Sequence, residues 1–403
     1  MSDFESGFRE PLDQPDQAGY GELPCHDTPD PQFDFAPGAY EQDGSGPGDE
    51  EVGDLAAEYL RDLGDTPANP MAAAEYQHAE VAQVFSPKTA IEDTERPPKL
   101  PQYVYVGEAV PPGFAEWYET KTAAERSVPM PGSSLATPEE KDFVEESNLI
   151  IVEMGDEAGA DMRDRVQPLH EHNFYDTKGA YVLGTKMRFG PRMAGRYVDS
   201  QGFMHPSTGL VWTRSDDPRH DRYGMLHEKI HGVSVTHIEP GVLPYTRDGR
   251  TQYMARSVKV GYQDLPTQPI DGPHGMTEWV TDMAACKGMQ KAGLGPICPN
   301  YRPLDILGGW VVMETAAEVG HKPYDIENYL IKGLWTPDRS GVEMMRDRFD
   351  NSGVDRLVNL GAWMNCRMAI DIAVELDMPD AVDDLRAYDR GEFDTYFNWR
   401  RPR

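Results

Sequence analysis

His227-Glu228-Lys229-Ile230-His231 is the stretch on which the interpretation of this chain of 403 residues depends. Residues four apart in an α-helix lie on the same face, so the stretch predicts two neighbouring imidazole rings. Two histidines at this spacing can bind one zinc ion, and the glutamate between them can act as a base without binding the metal. The stretch therefore predicts a zinc site with His227 and His231 as ligands and Glu228 as the general base that takes a proton from a zinc-bound water.

The residues around the motif predict where its helix begins and ends. Asp217-Pro218 is typical of a helix start, because an N-cap acceptor is followed by proline at the first helical position. Leu226 and Ile230 add a short apolar stripe beside the histidines. Gly232 directly follows His231, and a glycine in the left-handed conformation commonly ends a helix. We therefore expect a helix that stops at Gly232.

The charge of the chain is unevenly distributed. The formal net charge is −31, and residues 1–100 hold 23 acidic and 5 basic residues, which is −18 of that total. A strongly acidic chain is a poor partner for nucleic acids and for anionic membranes, so neither is expected. The partners that we expect are a peptide or protein substrate and, for the acidic N-terminal tail, a docking protein.

Composition divides the chain into three parts. Hydrophobic residues make up only 39% of the chain, which is low for a fully folded protein. Residues 1–95 are acidic and rich in proline and glycine, and we expect them to form a disordered tail. Residues 96–137 are rich in proline and are interpreted as a linker. Residues 138–403 are expected to form one folded domain.

The hydrophobic patterns predict an α+β fold with a small, mainly antiparallel sheet before the histidine helix. Strands are expected at residues 103–106, 181–183, 196–198, 210–212 and 253–260. Helices are expected at residues 115–126 and 138–148, on the segment that carries Glu278, and from residue 303 onward. Residues 149–154 are interpreted as either a strand or a continuation of the preceding helix, and residues 238–250 as a loop.

Cysteine usage and hydropathy indicate the compartment. Four cysteines occur without the spacing of a disulfide framework or a cysteine-type zinc site; they are Cys25, Cys286, Cys298 and Cys366. No apolar run reaches transmembrane length, and the N-terminus is acidic, unlike that of a signal peptide. The expected location is the cytoplasm.

A third zinc ligand is required, because a catalytic zinc ion usually has three protein ligands and one open position. Glu278 is the first candidate, since it lies on a predicted helix with Asp282 one turn later on the same face. A carboxylate at Asp282 can accept the outer N–H of a ligating histidine and hold its ring in place. Two alternatives remain. His237 follows His231 by six residues, as in the pattern HExxHxxGxxH, and His274 lies one turn before Glu278.

The two motifs together resemble a known family. His227-Glu228-x-x-His231 followed by Gly275-Met276-Thr277-Glu278-Trp279-Val280-Thr281-Asp282 is similar to the gluzincin metallopeptidases, which combine an HExxH helix with a downstream glutamate helix. The resemblance is closest to the small, single-domain bacterial members, the minigluzincins, and it covers roughly residues 140–360. It implies a zincin-like metallopeptidase domain, preceded here by the acidic tail.

The resemblance also implies roles for individual residues. The zinc ligands would be His227, His231 and Glu278, with Glu228 as the base and Asp282 behind a ligand. Family members often use a further tyrosine or histidine to stabilise the oxyanion, and Tyr301 is the candidate here. Thr277 departs from the family, which often has an asparagine there that contacts the substrate backbone.

The function expected from these features is that of a zinc-dependent peptidase. The alternative is a catalytically inactive, zinc-stabilised structural or regulatory protein that docks partners through its acidic tail. A third interpretation is a soluble α+β domain in which HExxH occurs by chance.

Overall fold

The computed structural model shows an α+β fold built from two small mixed sheets and many helices. The structure describes residues 102–107, 109–126, 128–169, 172–191, 194–195, 202–214, 218–247, 250–265, 274–293, 303–361 and 364–392. The strands are β1 (Tyr103–Tyr105), β2 (His172–Tyr175), β3 (Gly202–Met204), β4 (Val211–Arg214), β5 (Thr236–Arg247) and β6 (Arg250–Val260). The first helices are α1 (Phe114–Arg126), α2 (Pro138–Ala158), α3 (Lys178–Phe189), α4 (Pro218–Gly232) and α5 (Gly275–Lys291). The later helices are α6 (Pro303–Val319), α7 (Pro323–Trp335), α8 (Ser340–Val358, with a break at Asp350), α9 (Cys366–Glu375) and α10 (Pro379–Asp389).

Each sheet has three strands and combines both strand directions. In the sheet β2-β4-β3, β4 pairs in parallel with β2 and antiparallel with β3. In the sheet β1-β5-β6, β5 pairs in parallel with β1 and antiparallel with β6. The sheet before the histidine helix is therefore mixed. The expected mainly antiparallel sheet is wrong in this respect, because strand direction depends on connections that a local pattern does not reveal.

Local sequence signals explain the long helix α2. The Thr137 side chain accepts the N–H of Glu140, the Glu140 side chain accepts the N–H of Thr137, and Pro138 takes the first turn. The helix ends at Gly159, whose φ of 73° is the left-handed conformation that glycine adopts without strain. Residues 149–154 thus continue this helix rather than forming a strand.

The largest core lies between the helices. Helices α2 and α4 to α10 contribute its buried side chains, and α6 is buried almost all round from Leu304 to Val312. A smaller core lies under the sheet β2-β4-β3, where Trp212 packs with Phe203 and Tyr181. The helices expected from residue 303 onward are confirmed by α6 to α10.

Two predicted elements are wrong. Residues 181–183 are not a strand but the middle of α3, whose N-cap Thr177 accepts the N–H of Ala180. Their aromatic and branched side chains favour strands only weakly, and helical packing of Tyr181 into the small core overrides that preference. Residues 238–250 were expected to be a loop, yet most of them form β5. Register irregularities beside Pro240 accommodate the proline.

Part of the predicted linker is folded. β1 is an edge strand on β5, as expected for residues 103–106, and α1 confirms the predicted helix at 115–126. Phe114 and Tyr118 of α1 pack against Ile238 of β5 in a small aromatic core. Residues 103–126 therefore contribute contacts to the domain as well as a connection.

Several predictions fall outside the described residues. These are the tail at residues 1–95, the strand at 196–198, the N-cap Asp217 and Tyr301. Among the helices of the described ranges, none is long and apolar enough to cross a membrane.

Candidate metal centre

Helices α4 and α5 pack against each other and carry the predicted metal ligands. α4 begins at Pro218 and ends at Gly232, as the sequence indicates. Gly232, however, does not have the expected positive φ. Close packing favours glycine at this position instead, because a Cβ there would collide with the side chain of Gln167.

The ligand atoms predicted from the sequence converge. Nε2 of His231 lies 3.1 Å from Nε2 of His227 and 3.3 Å from Oε1 of Glu278. Nε2 of His227 lies 3.5 Å from Oε2 of Glu278. Ligands about 2.0–2.1 Å from a tetrahedral zinc ion stand roughly 3.3 Å from one another, so these separations fit such an ion. We call His227, His231 and Glu278 the metal group; among the described residues it is the one set of three side chains that could hold a metal.

The outer nitrogens of both histidines face α5. Nδ1 of His227 lies 2.8 Å from Oδ1 of Asp282, although the ring N–H is not aligned on that oxygen. Nδ1 of His231 lies 3.4 Å from the hydroxyl of Thr281. A proton on Nδ1 of His227 faces the Asp282 carboxylate and leaves a lone pair on Nε2, directed at the metal group. With the proton on Nδ1, Nε2 of His227 and the Glu278 carboxylate would present lone pairs to a cation bound at the metal group.

The two glutamates of the site have opposite pKa shifts. Burial raises the pKa of Glu228, and the charge of Glu278 raises it further against the opposing effect of both histidines. Burial alone would also raise the pKa of Glu278. The charge of His231 and hydrogen bonds from both histidines instead hold that pKa well below its usual range. The two environments therefore separate the pKa values of these carboxyl groups, so that Glu228 takes up a proton more readily than Glu278.

The metal group lies close to a sheet edge. Gly202 of β3 packs directly on Glu228, because a Cβ on Gly202 would lie 2.9 Å from Cγ of Glu228. In the described ranges β3 has β4 as its single neighbour in the sheet. The side chain of Glu278 keeps 22% of its surface exposed, so the metal group is open to solvent.

Neither alternative third ligand joins the metal group. His237 lies on β5, where Nε2 is 3.2 Å from a guanidinium nitrogen of Arg339 and 3.6 Å from Oδ2 of Asp264. His274 is the N-cap of α5 and accepts the N–H of Thr277 through Nδ1. Burial lowers the pKa of His274 from 6.5 to about 4, so the ring is neutral at pH 7.

Thr277, which departs from the family pattern, has a structural role. Its buried hydroxyl donates to the carbonyl of Val260 and accepts the N–H of Tyr262, so it joins α5 to the end of β6. The hydroxyl is therefore engaged inside the protein rather than presented to a substrate.

Two side chains that contact the site were not predicted from the sequence. Tyr223 donates a hydrogen bond of 2.7 Å to Oδ1 of Asp282, and Thr281 faces His231 as described above. The signal was helical spacing: Tyr223 precedes His227 by four residues, and Thr281 follows Glu278 by three.

The chain matches no family model, no curated protein and no solved structure.

Proposed function

We propose that the chain is a zinc-dependent peptidase of gluzincin type, with a zincin-like arrangement of its helices. The observation that carries the proposal is the convergence of two Nε2 atoms and one carboxylate, 3.1–3.5 Å apart, beside a second, half-buried glutamate. Two imidazoles and one carboxylate are a common ligand set of catalytic zinc. His227, His231 and Glu278 would hold the ion, which when bound acts as a Lewis acid on water and on a carbonyl group.

Glu228 carries the proton in this mechanism. Its carboxylate accepts a proton from the attacking water, whose oxygen forms a bond to the carbonyl carbon of the substrate. Glu228 then donates the same proton to the amide nitrogen as the C–N bond breaks, so that a carboxylic acid and an amine are released. The raised pKa of Glu228 supports this role, because a group that both takes and returns a proton works best near the operating pH.

The edge strand β3 supports a peptide as the substrate. An extended chain can pair with a sheet edge through backbone hydrogen bonds, and β3 lies next to Glu228. A substrate aligned along β3 would bring a peptide carbonyl close to the metal group.

The test is the substitution Glu228→Gln in the full chain. The amide is nearly isosteric but cannot act as a base at neutral pH, so hydrolysis of a peptide library should fall by about 10²–10⁴ while zinc content is unchanged. Glu239→Gln is the matched control, since it removes a carboxylate of β5 outside the metal group and should leave the rate unchanged.

The possible results separate the two candidate functions. Cleavage by the wild type that disappears with Glu228→Gln, and with a chelator, supports the peptidase. Equal cleavage by the wild type and Glu228→Gln contradicts the mechanism. Zinc binding without any cleavage favours the alternative, a zinc-stabilised structural or regulatory protein.

A further inference from the structure

Tyr223 belongs to a hydrogen-bonded link between the two helices of the site. It lies on α4 one turn before His227, and the two rings are 6.1 Å apart between their centres. Its hydroxyl donates to Oδ1 of Asp282 on α5 over 2.7 Å. The same oxygen lies 2.8 Å from Nδ1 of His227. The Asp282 carboxylate on α5 therefore lies between two residues of α4: it accepts a hydrogen bond from Tyr223, and Nδ1 of His227 approaches it closely without its ring N–H being aligned.

We propose that Tyr223 is a positioning residue of the metal centre, acting on His227 through Asp282. The inference rests on the metal group described under the proposed function, but it does not depend on the reaction catalysed there. The hydroxyl of Tyr223 exerts its effect on the Asp282 carboxylate, which faces the outer nitrogen of His227.

The physical reason is the restraint that the Tyr223 hydroxyl places on the Asp282 carboxylate. Asp282 is almost fully buried, with 5% of its side chain exposed, so its charge requires partners inside the protein. A hydroxyl that donates to Oδ1 restrains rotation of the carboxylate and holds that oxygen opposite Nδ1 of His227. The ring of His227 then keeps its proton on Nδ1 and its lone pair on Nε2, towards the metal group. Removing a residue that orients a metal ligand typically lowers the affinity for the metal by about 10–100-fold.

The geometry also accounts for the choice of a tyrosine at this position. The acceptor oxygen lies on the neighbouring helix, and a long, rigid side chain with a terminal donor spans that gap. Phenylalanine would keep the ring contact with His227 while removing the hydrogen bond. The substitution Tyr223→Phe therefore isolates the hydroxyl from the packing of the ring.

The experiment compares full-length wild type, Tyr223→Phe and Asp282→Ala. Zinc affinity is measured by competition with a chelating dye, and the tautomer of His227 is measured by ¹⁵N NMR of the metal-free protein. For Tyr223→Phe we expect zinc affinity to fall by roughly tenfold, the lower end of the range for such partners. We also expect a mixture of His227 tautomers in place of the Nδ1–H form. Asp282→Ala should have the larger effect on both quantities.

Tyr175→Phe is the matched control. Tyr175 donates a hydrogen bond of 3.1 Å to the carbonyl of Pro131 in the small core under β2-β4-β3, away from the metal group. Its loss should lower thermal stability without changing zinc affinity or the His227 tautomer. A merely structural role for Tyr223 would give the same pattern as this control.

The outcomes distinguish this inference from the proposed function. Wild-type affinity and tautomer in Tyr223→Phe would overturn the inference, as would an equal loss of affinity in Tyr175→Phe. A wild type that binds no zinc would overturn both proposals. A wild type that binds zinc but cleaves no peptide, with weaker binding by Tyr223→Phe, would overturn the peptidase and support the positioning role.

Discussion

Two clusters in this protein combine histidine with a carboxylate, but they differ in whether a positively charged side chain contacts these groups. In the metal group, two imidazoles and the Glu278 carboxylate converge with their Nε2 and oxygen atoms 3.1–3.5 Å apart. In the second cluster, which we call the arginine cluster, His237 and Asp264 also approach each other. There a guanidinium nitrogen of Arg339 lies 3.2 Å from Nε2 of His237 and 2.7 Å from Oδ1 of Asp264.

The difference shows what makes a histidine and a carboxylate available to a metal. Arg339 supplies the cation of its own cluster and cannot lose its proton, so His237 and Asp264 are already satisfied. Burial lowers the pKa of His237, and the charge of Arg339 lowers it further against the effect of Asp264, so this ring stays neutral. In the metal group the described side chains include no arginine or lysine that contacts the three ligand atoms, and a bound cation would take that place.

The largest expected effect comes from breaking the arginine cluster. Arg339→Met removes the donor to His237 and Asp264 and also the bonds to the carbonyls of Gly261 and Gly333. Removing one partner of a largely buried ion pair typically costs about 3–5 kcal/mol, so the free energy of unfolding in urea should fall by that amount. Zinc affinity should not change, because no ligand of the metal group depends on Arg339.

Arg356→Met is the control for this substitution. Arg356 pairs with Glu375 on the surface, where both side chains are more than half exposed. Exposed pairs of this kind contribute at most about 1 kcal/mol. A loss for Arg339→Met no larger than that for Arg356→Met would contradict the account of the arginine cluster, and a loss of zinc would contradict the independence of the two clusters.

A smaller effect is expected at His274, which experiences the charges of both Glu278 and Asp264. The pKa of His274 is about 4 in the folded protein and 6.5 ordinarily. Between these two pH values the unfolded chain therefore binds a proton at His274 that the folded chain does not bind. The contribution of the neutral His274 ring to the free energy of unfolding is therefore complete above pH 6.5 and is lost as the pH falls from 6.5 to about 4. His274→Asn keeps an N-cap acceptor without a titrating ring. Relative to this variant, metal-free wild type should lose on the order of 3 kcal/mol of stability over that window.

The measurement is urea denaturation of both proteins with a chelator present at a series of pH values. His321→Asn is the matched control, because the His321 ring is exposed to solvent rather than buried. If wild type and His274→Asn lose stability in parallel between pH 6.5 and 4, the buried, neutral state of His274 is wrong.

The side chains of the metal group were predictable because two of them share one helix and the third shares another helix with Asp282. The spacing of four residues brings His227 beside His231, and the same spacing puts Asp282 on the face of Glu278. Only one contact between distant segments had to be assumed, that of α4 with α5. Recurring apolar spacing likewise sufficed to predict the helices after residue 303.

The arginine cluster was not predictable, because its contacts join distant parts of the chain. Arg339 and His237 are separated by 102 residues, and no periodicity connects them. Without Arg339, His237 remained an acceptable third ligand on spacing alone. The course of β5 was missed for a related reason: Pro240-Gly241 indicates a turn locally, whereas pairing with β1 and β6 maintains the strand.

The most direct test of the central claim is the zinc content of three purified full-length proteins after dialysis against dilute zinc. Wild type and His237→Gln, which keeps an acceptor for Arg339, should each retain about one zinc ion per chain, as expected for a site of two histidines and a carboxylate. Glu278→Ala should retain none, because two histidines alone hold the ion weakly. Zinc retained by Glu278→Ala but lost from His237→Gln would contradict this account and make His237 the third ligand.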